Sequence, residues 1–422
     1  MFTEYFKTKK YYLSLIALVF IISLIWIVTV NTQPFSDFSY YNDLAISIAN
    51  GGQWGDTYTT VGYPIILGFI YKIFGANIFI AKIFNLILSM VNNILVLIIL
   101  DKVKLKERDK MIIFLLFVFF PANIYFNSVL GTEILFTNIM LISTLVFFSH
   151  LKYKYFIIGF LVALNTMIKP FFILFVFLIF IVNWIVDKKL INSIKNSLIV
   201  LVVAFVFISP WVYRNTKLVG QMTYVSNNGG IVLYINNNSQ NHNGRWMPVA
   251  DVENSIINLP EFKNANMTEK NKMFSKEAKK WIVSHPKEFL NLGFKRLYNT
   301  YYLGDDVGYS LYDTNFSDEV KHKIFNFTNF TRNLVFIPAT IYILICSVIL
   351  IKDLLYKNTL NLFKVYMLVL YYMFTCVYFI TEGQGRYAFP VIFILIYFFV
   401  ELMLTIFDRL NIKVGSKKVK YS

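Results

Sequence analysis

The chain has 422 residues, of which 57% are hydrophobic and only 15% charged, against roughly 45–50% and about 25% in soluble domains. Mean hydropathy is +0.57. These values exclude a disordered chain, a collagen-like repeat and a typical cytosolic enzyme, and they favour one membrane-embedded bundle over several soluble domains. Cys346 and Cys376 sit in apolar runs and the four histidines are scattered, so neither a disulfide scaffold nor a metal-ligand spacing is present. The abundance of Asn, Ile, Lys, Phe and Tyr points to an AT-rich, bacterial genome.

The expected fold is an all-α polytopic membrane protein. Leu13–Val30 is long enough to span and lacks a small-residue cleavage site, so it reads as an uncleaved first helix. Further apolar segments run at 78–100, 111–128, 133–149, 155–168, 171–186, 197–212, 333–351, 365–381 and 387–407, which makes about ten crossings. Tyr63–Gly75 is apolar but too short to cross, so it reads as interfacial. The domains expected are 1–212, with seven spans and an external juxtamembrane loop at 31–77; 213–332, a large external loop; and 333–422, with three spans and a basic cytoplasmic tail.

Charge placement fits this order. With the N-terminus inside, the cytoplasmic segments carry 21 basic residues, whereas the external segments 31–62 and 127–132 carry none. The remaining external turns hold Lys169 and Arg386. The +16 net charge is therefore mainly a topology signal, and nucleic acid is not an expected partner; membrane lipids are. The long 213–332 segment carries 15 basic residues, but long loops translocate regardless of charge. It reads as a small mixed domain, with a hairpin of Met222–Ser226 and Ile231–Ile235 around Asn227-Asn228-Gly229-Gly230. A helix capped by Thr268 follows, then one with Pro286 in its first turn. In the latter Leu290, Phe294, Leu297 and Tyr301 fall on one face.

Ionisable groups at a membrane rim are costly and need a reason. Asp37, just after the first span, reads either as a solvated acid at a helix start or as a general base. Glu133 begins the span after Gly131-Thr132, where a helix N-terminus favours negative charge. Lys169-Pro170 is a minimal turn between two apolar runs, suited either to snorkelling or to an anionic headgroup. Arg214 and Arg386 offer bidentate phosphate recognition, with interfacial anchoring as the alternative for Arg214. Glycines around Arg386 suggest close approach to a ligand. Asn92, Asn93, Asn138 and Asn165 are expected to bond between helices.

In order, Pro34-Phe35-Ser36-Asp37-Phe38-Ser39-Tyr40-Tyr41, Gly62-Tyr63-Pro64, Gly131-Thr132-Glu133, Met167-Ile168-Lys169-Pro170, Pro210-Trp211-Val212-Tyr213-Arg214-Asn215, Gly229-Gly230 and Arg386-Tyr387-Ala388-Phe389-Pro390 resemble the GT-C superfamily of polytopic glycosyltransferases. The nearest branch resembles glycosyltransferase family 39, the protein-O-mannosyltransferase and aminoarabinose-transferase type. The resemblance implies transfer of a sugar from a polyprenyl-phosphate donor, at the external face of a bacterial plasma membrane, to a cell-surface glycan or lipid. It implies Asp37 as base, Glu133 as second acid, and Lys169 and Arg386 on the carrier phosphate. Arg214 and Tyr40 complete the expected substrate-binding set. No metal or bound cofactor is expected, because the lipid-linked sugar is a substrate, although a divalent ion stays open. One departure stands out: family members pair Asp with Glu in the first loop, and here Phe38 follows Asp37. No lectin-like domain is appended, which argues against a protein acceptor. A lipid-linked-sugar flippase and an O-antigen polymerase or ligase are the rival readings.

Overall fold

The computed structural model describes residues 2–304 and 306–418; the end of the expected basic tail, 419–422, lies outside them. The helices are α1 (Phe2–Thr29), α2 (Asp37–Ala49), α3 (Gly62–Phe74), α4 (Ile78–Lys102), α5 (Glu107–Val118), α6 (Pro121–Tyr125), α7 (Glu133–Phe147), α8 (Lys154–Thr166) and α9 (Phe175–Asp187). They continue with α10 (Leu190–Val219), α11 (Gly229–Asn236), α12 (Pro260–Asn264), α13 (Met267–Ser284), α14 (Pro286–Tyr301), α15 (Gly308–Leu311), α16 (Asp318–Leu355), α17 (Leu362–Ile380) and α18 (Ile392–Lys418). No strand occurs among the described residues.

All ten apolar segments are helical, but not all reach crossing length. Among the described residues, seven helices are long and apolar enough to cross a membrane. An eighth forms if α5 and the 121–128 stretch count as one span bent by 51°. The bend falls at Phe120-Pro121, where a proline opens a new helix and the residue before it stays extended. The expected crossings at 133–149 and 155–168 are the short α7 and α8, of 15 and 13 residues. At 1.5 Å per residue these reach only about 20 Å, against a hydrocarbon core of about 30 Å. Both are enclosed by other helices. α7 packs between α4 and α8, α8 packs on α10, and nearly every side chain of α7 is buried.

Polar side chains tie this centre together. Asn92 donates to the Ile134 carbonyl (3.4 Å), Asn138 to that of Leu88 (3.0 Å) and Asn165 to that of Phe136 (3.1 Å), each between helices. Asn93 departs from expectation, because its amide turns to Met90 Sδ on its own helix.

The first loop folds as a helical pair, α2 against α3. A Cβ on Gly68 would lie 2.8 Å from Ile48, and Tyr71 donates to Asn42 at 2.7 Å. α3 has 13 residues, short of a crossing as expected. The loop between 220 and 317 corrects the reading at two points. Where the sequence suggests a hairpin, the chain forms α11, because Gly230 lets its backbone sit on α13. The Gly230 N–H donates to Asn271 Oδ1 at 2.5 Å, and a Cβ there would lie 2.0 Å from the Asn271 carbonyl oxygen. The cap of α13 is Asn266, in a capping box with Glu269, while Thr268 is buried and bonded to Thr223. On α14, Tyr301 is buried and Leu297 packs against the core as part of the face read from the sequence, Leu290 and Phe294 are exposed, and Leu292, Gly293, Arg296, Asn299 and Thr300 are also buried. Arg296 is inside because it donates to the carbonyls of Phe379 (2.7 Å) and Asn236, bonds that a count of apolar residues does not register.

Candidate active site

Four chain breaks meet at one end of the bundle. Asp37 is the first residue of α2, after Ser36 at φ 50°, and Glu133 is the first residue of α7. Both carboxylates therefore sit at helix N-termini, where negative charge is favoured. Lys169 precedes Pro170, which disfavours helix at the residue before it. It is extended at φ −135°, and its N–H caps the Asn165 carbonyl at 2.9 Å. Arg386 lies in the 3-10 turn Gly385–Val391 that leads into α18.

These residues form two ion pairs. Arg386 Nη2 is 3.2 Å from Asp37 Oδ2; the Asp37 side chain is 56% exposed and that of Arg386 11%. Lys169 Nζ is 3.4 Å from Glu133 Oε1, and Glu133 is 2% exposed. Glu133 Oε2 accepts no hydrogen bond among the described residues. Gly131 lets that oxygen in, since a Cβ there would lie 2.4 Å from it and 3.1 Å from the Phe38 ring. Aromatic rings join the pairs. The Arg386 guanidinium lies 5.1 Å from the Phe38 ring centre, 5.2 Å from that of Tyr309 and 5.4 Å from that of Tyr387. Lys169 Nζ is 5.7 Å from the Tyr387 ring centre and 5.8 Å from that of Phe136. Burial pulls Lys169 below the usual lysine range, Glu133 opposing and Arg386 adding to the pull.

Two early motifs meet behind Lys169. The Gly62 N–H donates to the Met167 carbonyl (3.0 Å) and Thr60 to that of Ile168 (2.9 Å). A Cβ on Gly62 would lie 2.7 Å from Ile168, so the approach requires glycine. The first loop is thus anchored to the lysine turn.

Arg214 and Tyr40 are set apart from the ion pairs. Arg214 donates to the carbonyls of Asp56 (2.8 Å), Trp54 (3.2 Å) and Gly55 and stacks on Trp211, so its fork holds the 54–56 loop. Tyr40 reaches Asp56 at 3.5 Å; burial and that carboxylate push its phenol up to about 12, with Arg214 opposing. Sequence reasoning left Tyr41, Tyr309, Glu382, Gln384 and Tyr387 without roles. Burial and nearby Asp37 raise the Tyr41 phenol. Glu382 and Gln384 had a signal in their closeness to Arg386. Tyr309 had none, because it arrives from a loop far along the chain. Among the described residues no group of three or more His, Cys, Asp or Glu side chains converges as a metal site would.

No protein-family model and no curated protein matches the chain. Solved structures do. The Archaeoglobus fulgidus oligosaccharyltransferase, tethered to an acceptor peptide containing the NVT sequon, superposes with a TM-score of 0.53 at 14% identity, covering 96% of this chain and 50% of that one. The oligosaccharyltransferase AglB of the same archaeon, in complex with an inhibitory peptide and a dolichol-phosphate, gives 0.51 at 13%, covering 97% and 52%. The chain shares the fold of these structures. It spans about half the length of these structures, and at such identity the likeness speaks of fold.

Proposed function

We propose that this chain is a GT-C membrane glycosyltransferase of the family 39 type. It moves a sugar from a polyprenyl-phosphate donor to a glycan or lipid acceptor at the external face of the membrane. The observation that carries the reading is the pair of adjacent ion pairs at one end of the bundle. Two carboxylates on helix starts meet two cations there, lined by aromatic rings. A sugar phosphodiester presents this site with a charged leaving group at headgroup level and a tail in lipid.

In the proposed reaction Asp37, the more exposed carboxylate, takes the proton of an acceptor hydroxyl. That oxygen attacks the anomeric carbon, the bond from this carbon to the phosphate oxygen breaks, and its electron pair leaves with the polyprenyl phosphate. Arg386 and Lys169 stabilise the departing charge. Single displacement inverts the anomeric centre. Glu133, buried against Lys169, holds the lysine in place. A transporter would instead prefer a charged path through the midplane.

The test is mass spectrometry of cell-surface glycans and extracted lipids with and without the gene product. The reading expects loss of one sugar from a surface glycan and accumulation of one lipid-linked sugar. Unchanged glycans and lipids overturn it. The external placement is tested separately by an impermeant thiol reagent on Gln240→Cys in a chain lacking Cys346 and Cys376. Labelling of intact cells is expected, and labelling only after lysis refutes it.

A further inference from the structure

Resting on the donor reading above, we propose that Glu382 is a positioning residue whose carboxylate fixes the amide of Gln384, which in turn aims the Arg386 guanidinium at the donor phosphate. Glu382 and Gln384 are both buried, at 5% and 9% exposure. Glu382 Oε1 accepts from Gln384 Nε2 at 2.5 Å, and Oε2 accepts from the Tyr387 hydroxyl at 2.9 Å. Gln384 Oε1 accepts from Arg386 Nε at 2.9 Å and from the Tyr309 hydroxyl at 2.7 Å.

The direction of this relay follows from chemistry. An ionised carboxylate only accepts, so the Gln384 atom facing Glu382 is the NH2 group. The Gln384 carbonyl oxygen then faces Arg386 Nε. A flipped amide would set its NH2 against a guanidinium N–H, donor against donor. Glu382 thus holds the amide in the orientation that the Arg386 Nε–H requires, and the amide engages that edge of Arg386 within the protein.

The consequence lies on the opposite edge. With Nε engaged, the Nη fork faces away, Nη2 towards Asp37. Nη1 donates to no described residue. Rings of Phe38, Tyr309 and Tyr387 restrict the plane. A planar fork held this way suits two phosphate oxygens. Arg296 supports the same loop from behind: it donates to the Phe379 and Ile380 carbonyls, and the Gly383 N–H donates to the Gly244 carbonyl at 3.1 Å. Tyr387, bonded to Glu382, also carries the ring against Lys169.

The experiment uses the full-length chain in lipid nanodiscs, titrated with undecaprenyl phosphate, the part shared by every undecaprenyl-phosphate sugar. Wild type should bind saturably. Glu382→Gln should bind about tenfold more weakly, the scale of a lost hydrogen bond to a charged group. Gln384→Met should match it, and decides the matter if Glu382→Gln does not fold. Arg386→Met should lose affinity further. Adding Glu382→Gln to Arg386→Met should cost nothing more, because the relay then has no guanidinium to aim. A carboxylate with a merely structural role would give additive losses and a falling melting temperature in both backgrounds. Wild-type affinity in Glu382→Gln or Gln384→Met, or additive losses in the double variant, overturns the inference. No saturable binding by wild type overturns the donor reading itself, and so is distinct from failure of the relay.

Discussion

Asp37→Asn should tighten the grip on polyprenyl phosphate while abolishing transfer. In the structure the proposed base occupies Arg386, one of the two cations proposed to hold the phosphate, at 3.2 Å. In the proposed reaction an incoming phosphate competes with that carboxylate, and its arrival would free Asp37 for the acceptor hydroxyl. The competition is modest, because Asp37 is 56% exposed and solvent screens the pair. Half-exposed ion pairs are worth about 0.2–1 kcal/mol, so removing the charge should improve undecaprenyl phosphate affinity by roughly 1.4- to 5-fold. Asparagine keeps the size but cannot take a proton, so the transfer rate should fall by about 10²–10⁴. Titration in nanodiscs reads the first effect, and glycan mass spectrometry with membrane-extracted donor lipid reads the second. Weaker binding by Asp37→Asn would show that the carboxylate helps to hold the donor. Near wild-type transfer would remove it as the base.

Lys169→Met should act in the opposite sense on binding. It removes a charge-assisted phosphate contact of about 1.5–3 kcal/mol, so undecaprenyl phosphate affinity should drop by roughly 10- to 150-fold; affinity within twofold of wild type would exclude the lysine from the phosphate site. Gly131→Ala puts a Cβ 2.4 Å from Glu133 Oε2 and 3.1 Å from Phe38, so the carboxylate must rotate and loosen its hold on Lys169. Its expected signature is weaker undecaprenyl phosphate binding, by about tenfold on the scale of one charged hydrogen bond, and unaltered affinity would show that the neighbours yield freely. Arg214→Met should release the 54–56 loop, whose carbonyls it holds. Faster amide exchange at residues 54–58 should accompany it, with a smaller loss of phosphate affinity than in Lys169→Met; the reverse ranking would return Arg214 to the phosphate site.

The sequence by itself determined the bundle. Apolar runs are local signals, and all ten are helical in the structure. It also marked Asp37, Glu133, Lys169 and Arg386, because charge is costly at the rim of an apolar bundle wherever the chain leads. Tertiary structure decided the rest. α7 and α8 are too short to cross by length alone, and only their burial among α4 and α10 explains their apolar character. The Ile231–Ile235 run is apolar at every position, so its periodicity did not distinguish strand from helix; the close approach of Gly230 to α13 settled it. Arg214 stood between phosphate recognition and interfacial anchoring, and its bonds to the 54–56 carbonyls set it apart from Arg386. The pairing of Asp37 with Arg386 and of Glu133 with Lys169 joins residues 349 and 36 positions apart. Such contacts have no local signature, since hydrogen-bond partners are chosen by the packing of distant segments.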